Sequence, residues 1–224
     1  MTNTSSLIIA IDGPSASGKG TVARRLAAHL GFAYLDTGLL YRAVGLGVLR
    51  AGEGLDDPAA AARAAGRLDP ASVLTLGDDP DIRSDTASVA ASKVAAVPEV
   101  RAFLLKFQQD FGAKPPGGKK GAVLDGRDIG TVIAPQAPVK IYVTASTATR
   151  ADRRYRELQD RGENVTEAAV LADLQARDAR DSNRATAPAR PADDAIMLDT
   201  TNMTADEAFA QALAVVQGKL PHLR

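Results

Sequence analysis

The stretch IIAIDGPSASGKGT at residues 8–21 decides the fold of this chain. Its first half is a short, mostly β-branched apolar run, which is typical of a parallel strand buried on both faces. Gly13 and Gly18 then permit a tight turn that ends in Lys19, and apolar residues at helical spacing follow. A glycine-rich turn between a strand and a helix N-terminus predicts a cradle for phosphate groups.

The lysine of this turn is followed by Gly20, and a hydroxyl appears only at Thr21. The Ser or Thr that commonly ligates Mg²⁺ directly after the lysine is therefore missing, and we expect phosphate oxygens and water to hold the ion. The alternative is a strand–turn–helix connection with no ligand. The residues assigned to the phosphates are Gly13, Pro14, Ser15, Ala16, Ser17, Gly18, Lys19, Gly20 and Thr21.

The composition limits the classes of function. At 224 residues the chain can form one α/β core with a small insertion or a lid. Its 27 basic and 27 acidic residues give no reason to expect nucleic-acid or membrane-surface binding. The absence of cysteine excludes disulfides and thiolate metal sites. Residues 1–6 do not resemble a secretory leader, so we expect a cytoplasmic protein, with His29 and His222 on its surface.

Four further apolar runs alternate with helical patterns along the chain. Together with the first run they predict an open, mostly parallel five-stranded sheet with helices on both faces. Residues 68–85 interrupt the alternation and are interpreted as a small hairpin that begins an insertion. The further runs are at residues 32–35, 122–124, 139–143 and 195–198.

Polar clusters follow these strands, and in open α/β sheets such clusters meet at one crevice. Asp36-Thr37-Gly38, with Tyr41 and Arg42 just beyond, is the first; Thr37 could instead cap the next helix. Asp125-Gly126-Arg127-Asp128 is the second. Its three charges are costly in a buried place unless they face a ligand, a metal or one another. Asp125 is thus a candidate for Mg²⁺, and a purely structural Asp–Arg pair is the alternative.

Arginines dominate two helical patterns in the second half. The pattern from Thr147 carries Arg150, Arg153, Arg154 and Arg156, and a turn at 161–164 links it to another helix. This arrangement predicts a lid over polyphosphate, although such charges are also common on solvated faces.

The second arginine-rich pattern is the segment from Arg177 to Arg184. Arg177 and Asp181 are four residues apart and so share a helix face. Arginine guanidinium groups placed among carboxylates could bind a phosphate group and the edge of a nucleobase. The alternative is an exposed helix end with salt bridges.

These motifs together resemble the bacterial cytidylate kinase family of the nucleoside monophosphate kinase group, essentially end to end. The phosphate loop alone would specify only a superfamily, whereas the other four motifs are specific. Residues 68–85 are shorter than the insert of the family's larger bacterial members. The motifs are residues 9–21, 35–42, 90–101 (with Ser92 and Arg101), 125–131 and 177–184.

The resemblance implies a three-layer phosphate-loop kinase fold in three regions. The core would comprise 1–38, 122–150 and 185–224, and the monophosphate-binding region 39–121, with a shortened insertion at about 68–85. A short arginine-rich lid with acceptor-binding helices would comprise 151–184. The expected cofactors are ATP and Mg²⁺, the ion held through water by Asp125, and the expected acceptors are CMP and dCMP. No nucleic-acid or membrane partner is expected, and the chain is expected to be a monomer.

Roles for individual residues follow from the resemblance and from the charge that phosphoryl transfer must neutralise. The transfer step is assigned to Lys19, Arg127, Arg153 and Arg154. Acceptor binding is assigned to Thr37, Tyr41, Arg42, Ser92, Arg101, Asp128, Arg177, Asp181 and Arg184. The rival hypotheses are the same chemistry on UMP, AMP or shikimate and a nucleotide-binding switch module. The Asn-Lys-x-Asp segment that specifies guanine in such switches is absent.

Overall fold

The fold was examined in a computed structural model, which describes residues 6–72 and 80–223. The central sheet has five strands in the order β2-β3-β1-β4-β5, and every neighbouring pair is parallel. This confirms the predicted α/β class. The strands are β1 (Leu7–Asp12), β2 (Ala33–Asp36), β3 (Gly121–Gly126), β4 (Val139–Thr144) and β5 (Ile196–Asp199).

Nine α-helices connect and cover these strands in the described part of the chain. A 3₁₀ turn occupies Pro116–Gly118, and a π turn occupies Ile129–Ile133. The helices are α1 (Lys19–Leu30), α2 (Thr37–Arg50), α3 (Pro58–Arg67), α4 (Pro80–Arg83), α5 (Asp85–Val94), α6 (Pro98–Ala113), α7 (Thr147–Asp160), α8 (Glu167–Asn183) and α9 (Ala205–Lys219).

Two apolar layers bury the two faces of the sheet. Ile9 and Ile11 of β1 pack with α1 and α9, whereas Ala10 between them packs on the opposite face with Phe111 of α6. Alternate residues of β1 thus supply opposite layers, as the twofold period of a strand requires. The result is a three-layer arrangement whose central strand leads directly into the phosphate loop.

A separate apolar cluster lies between residues 39 and 104. It joins α2, α3, α5 and α6, with Leu40, Val44 and Leu104 fully buried or nearly so. The division of the chain into core, monophosphate-binding region and lid stays a prediction. Most of the hairpin predicted within residues 68–85 falls on residues 73–79, outside the described residues, but its last part is wrong, because Pro80–Arg83 forms helix α4.

Three helix ends carry residues of the types that commonly cap helices. Gly31 ends α1 in the left-handed conformation, and Thr166 caps α8 through the backbone N–H of Ala169. Thr204 and Glu207 form a capping box at the start of α9. Within residues 6–72 and 80–223, none of the helices combines the length and apolar character that crossing a bilayer would require.

Candidate functional site

A cleft of about 370 Å³ lies at the carboxyl end of the sheet, between the phosphate loop, α2, α5, α7 and α8. The chain as a whole has no net charge, but among the residues lining this cleft cations outnumber anions ten to five. The cations are Lys19, Arg24, Arg42, Arg83, Arg101, Arg127, Arg153, Arg154, Arg177 and Arg184. The anions are Asp36, Asp125, Asp128, Glu157 and Asp181. Such a concentration of positive charge suits a polyanionic ligand.

The loop at 13–18 has the backbone of a phosphate cradle. Gly13 has φ 151° and Gly18 φ 85°, both in the region that favours glycine. A Cβ at Gly13 would also lie 2.0 Å from the carbonyl oxygen of Val143, so only glycine fits there. Gly18 lies directly before α1, which places the helix N-terminus against the cleft.

Lys19 and Asp125 form the innermost charged pair of the cleft. Lys19 Nζ lies 3.8 Å from Asp125 Oδ1, and both side chains are almost fully buried. Burial lowers the pKa of Lys19 to about 8 and raises the pKa of Asp125 to about 6, while the attraction between the two charges opposes both shifts. A Cβ at Gly20 would lie 3.1 Å from Asp125 Oδ2, which gives a steric reason for a glycine after the lysine.

The loop is braced from the other side by the arginines of α7. Arg153 donates to the hydroxyl of Thr200 at 3.0 Å and to its carbonyl at 2.7 Å, and this hydroxyl donates to the carbonyl of Ser17. Arg150 donates to the carbonyl of Ser15 at 3.3 Å and to Asp178 of α8 at 2.6 Å. These contacts connect α7, α8 and the phosphate loop.

Asp36, and not Thr37, caps α2 at the edge of the cleft. The Asp36 carboxylate accepts from the backbone N–H of Gly38 at 3.0 Å. Thr37 is buried, and its hydroxyl donates to the carbonyl of Asp125 at 2.8 Å. The alternative interpretation of Thr37 as a cap is therefore wrong, because the residue before it takes that position.

Asp128 is the centre of a buried cluster of arginines. It forms an ion pair with Arg101, and its Oδ1 lies 3.6 Å from Nη2 of Arg184. The guanidinium of Arg101 also lies over the ring of Tyr41, 5.5 Å from its centroid. All four residues line the cleft. Within the described residues, Asp125, Arg127 and Asp128 form ion pairs with residues elsewhere in the chain and not with one another.

Asp181 is the centre of a second cluster, formed by three segments. It accepts from Arg127 Nε at 3.1 Å and from Ser92 Oγ at 3.1 Å, and Arg177 Nε lies 3.9 Å away. Burial alone would raise the pKa of Asp181, but the positive charges of Arg127, Arg177 and Arg184 outweigh it and hold the pKa below its ordinary value. The predicted sharing of a helix face by Arg177 and Asp181 is confirmed.

The remaining arginines predicted to bind ligand lie along the wall of the cleft. Arg42 donates to the carbonyl of Ile82 at 3.0 Å. Arg154 pairs with Asp85 of α5 at 2.9 Å and with Glu157 at 3.0 Å. Arg156, on the same helix, is 73% exposed and pairs with Asp152, so it belongs to the solvated face of α7. Three predicted loop positions, Gly13, Pro14 and Ser17, do not line the cleft, whereas the other six do.

The carboxylate of Asp125, beside Lys19, is the group in the cleft that was predicted to hold Mg²⁺ through water. Asp125 Oδ1 is buried and accepts no hydrogen bond in the described structure, while Oδ2 accepts from Tyr34 at 3.3 Å. Oδ1 is thus an acceptor that could take a water from the shell of an ion. Among the described residues, there is no group of three or more acidic or histidine side chains that could hold a metal by themselves. These residues fit an ion that is carried mainly by a nucleotide.

Sequence reasoning missed several residues that shape this site. Asp12 is buried and accepts from the backbone N–H groups of Ile129 and Gly130. Asp85 pairs with Arg154 from a helix remote in sequence. Arg24 and Arg83 line the cleft without belonging to a recognised motif. Only Asp12 carried a usable signal, since an acidic residue ends the first buried strand, directly before the phosphate loop.

Comparison with known proteins identifies relatives that match nearly the whole chain. The family model described as cytidylate kinase matches residues 9–218. The cytidylate kinase of Paramagnetospirillum magneticum is 58% identical over 214 residues, which are 96% of this chain and 99% of that protein. The cytidylate kinase of Rhodospirillum rubrum is 58% identical over 213 residues, 95% of this chain and 98% of that protein.

Among solved structures, an uncharacterized protein from Eubacterium ventriosum has a TM-score of 0.53 at 17% identity. The match covers 94% of this chain and 98% of that one, and it supports the fold alone. The family model and the two relatives are decisive, because they match nearly the full chain at high identity. The chain belongs to the cytidylate kinase family.

Proposed function

We propose that this enzyme transfers the γ-phosphoryl group of ATP directly to the 5′-phosphate of CMP and dCMP. The observation that carries the proposal is the cationic cleft, which joins a phosphate loop to buried arginines held by Asp128 and Asp181. Within it, Arg177 Nε and Arg184 Nη2 are buried donors with no hydrogen-bond acceptor among the described residues. Buried donors of this kind suit an anionic ligand with several acceptor oxygens.

The acceptor phosphate is itself the nucleophile, so no activating base is needed. Catalysis then consists of alignment and neutralisation of charge. Lys19 and the loop amides hold the phosphates of ATP, and Arg42, Arg101 and Arg184 hold the phosphate of the acceptor. Ser92 and the Arg177–Asp181 pair bind the nucleoside part, while Arg127 lies between the two halves of the cleft.

Mg²⁺, when bound with ATP, would neutralise part of the charge of the phosphate groups. Asp125 would hold the ion through a water molecule, using its Oδ1. Tyr34 donates to Oδ2 of this carboxylate at 3.3 Å and so orients it, and Thr37 holds the backbone carbonyl of Asp125. We propose that the catalytic unit is a monomer that acts in the cytoplasm.

Arg153 and Arg154 would neutralise charge on the transferring group and help to exclude water, which would otherwise hydrolyse ATP. Arg153 is anchored to Thr200 beside the phosphate loop. Arg154 is held by Asp85 and Glu157 at the entrance to the acceptor side. The two arginines thus approach the cleft from different directions.

We expect Arg154→Met to lower kcat by about 10²-fold, because one positive charge aimed at the transferring group is lost. The matched control is Arg156→Met, since Arg156 lies two residues away on the same helix but is exposed. Steady-state kinetics with CMP and ATP measure both variants. Equal kcat values for the two variants would contradict a role for Arg154 in the transfer step.

An acceptor panel tests the function itself. CMP, dCMP, UMP, AMP and shikimate are offered with ATP and Mg²⁺, and formation of ADP is followed in a coupled assay. We expect CMP and dCMP to have the highest kcat/KM. Preference for another acceptor would replace the proposed substrate, and nucleotide binding with no acceptor-dependent turnover would favour the switch module instead.

A further inference from the structure

The carboxylate of Asp12 lies in an unusual position for a buried acid. Its side chain is almost fully buried at the end of β1, directly before Gly13 of the phosphate loop. In the part of the chain that the structure describes, no lysine or arginine lies within ion-pair distance of it. Its recorded side-chain hydrogen bonds come from the backbone N–H groups of Ile129 and Gly130, each at 2.8 Å.

Those two N–H groups begin the π turn Ile129–Ile133, whose N-cap position is occupied by Asp128. The first N–H groups of any helical turn lack partners within the turn, and an Asp at the N-cap commonly accepts from them. Asp128 makes no such capping bond. Its carboxylate instead faces Arg101 and Arg184 in the acceptor half of the cleft.

We propose that Asp12 is a positioning residue that caps the π turn from a neighbouring strand and thereby leaves Asp128 available to orient Arg101 and Arg184. Asp12 does not touch the reacting atoms in this scheme. It acts through Asp128, so its effect falls on binding of the acceptor. The inference rests on the proposed function, because it assigns Arg101 and Arg184 to the acceptor.

Two further observations indicate that the carboxylate of Asp12 serves the neighbouring turn and is not simply part of the core. Burial raises the pKa of Asp12 to about 7, against the opposing effect of its two backbone hydrogen bonds. The position is thus costly for a carboxylate, and a plain core residue would not need to be acidic. A Cβ at Gly130 would lie 3.4 Å from Asp12 Oδ2, an ordinary van der Waals distance, so the backbone of the turn lies directly against the carboxylate.

Asp12→Asn is the first test, because asparagine keeps the shape but can accept only one of the two N–H groups well. We expect the KM for CMP to rise about tenfold, as loss of a charge-assisted hydrogen bond would produce, with the KM for ATP changed by less than about twofold. In ¹H–¹⁵N spectra, the amides of Ile129 and Gly130 should move more than those of the phosphate loop. Turnover of CMP by the wild-type enzyme is measured in parallel. If the wild type does not phosphorylate CMP, the proposed function is wrong. If it does and the KM values of the variant do not change as expected, only the inference about Asp12 is wrong.

An unchanged KM for CMP would overturn the proposal, and so would an equal rise in both KM values, since Asp12 also adjoins the phosphate loop. If the asparagine variant does not fold, Asp12→Glu replaces it, because it keeps a carboxylate but displaces it from the two N–H groups by one methylene group. A selective rise in the KM for CMP, smaller than that expected for Asp12→Asn, then supports the proposal. Equal or absent effects on the two KM values overturn it.

Discussion

Lys19→Met is expected to lower kcat by 10²–10³-fold, on the order of the loss caused by removing one preorganised donor from a transition state. The reason is that Lys19 is the innermost cation on the donor side and lies within the phosphate loop, 3.5 Å from the carbonyl oxygen of Pro14. Steady-state measurement of ADP formation with CMP as acceptor gives the result. Turnover near that of the wild type would contradict the assignment of the loop to the donor.

Stability needs a separate control, because Lys19→Met leaves Asp125 buried without its cation. The folded-state pKa of Asp125, already raised to about 6, should rise further in the variant. A raised carboxyl pKa means that the folded state binds the extra proton, so stability falls as pH rises towards that pKa. We therefore expect the Tm of Lys19→Met, relative to wild type, to fall between pH 6 and pH 8.

The double variant Lys19→Met with Asp125→Asn removes the uncompensated charge. It should recover most of the Tm difference at pH 8 while remaining inactive. If the double variant recovers stability but not turnover, Lys19 has a role in catalysis that is separate from its neutralisation of Asp125. Recovery of turnover would instead show that the lysine serves mainly to neutralise Asp125.

The fold and the phosphate loop were predictable because their signals are local. A β-branched run, two glycines with positive φ and a helix follow one another within residues 7–30, and no distant contact is needed to interpret them. The same holds for the capping box of α9. Each of these features depends on steric limits of a few adjacent residues.

The partners of the charged residues were not predictable in the same way. Asp125 and Lys19 are 106 positions apart, and Asp12 and Gly130 are 118 apart. Such pairs depend on strand order and register, which place Asp12 opposite Gly126 at the same edge of the sheet. The sequence indicated that the charges after β3 need partners. The parallel pairing of β1 with β3 brings Lys19 to Asp125, whereas the partners of Arg127 and Asp128 come from α6 and from the end of α8.

The network around Asp181 joins the two substrate halves of the cleft. Arg127 follows β3, Ser92 belongs to α5, and Arg177 precedes Asp181 by one helical turn. Arg180 donates to the same Ser92 hydroxyl at 3.2 Å, which fixes this hydroxyl towards Asp181. A single carboxylate therefore orients donors from three segments that are remote in sequence, and its removal should disturb acceptor binding most.

We expect Asp181→Ala to raise the KM for CMP by roughly 10²-fold, since it leaves two buried guanidinium groups without their anion. The KM for ATP should change far less, because the phosphate loop keeps its contacts to Thr200 and Arg150. Asp173→Ala is the matched control: Asp173 is an exposed residue of α8, two turns before Asp181, and both KM values should stay near wild type. Equal rises in the two KM values for Asp181→Ala would mean that this network serves the whole cleft. A selective rise for CMP would place the base-binding part of the acceptor site on α8, where Arg177 and Asp181 face the same side.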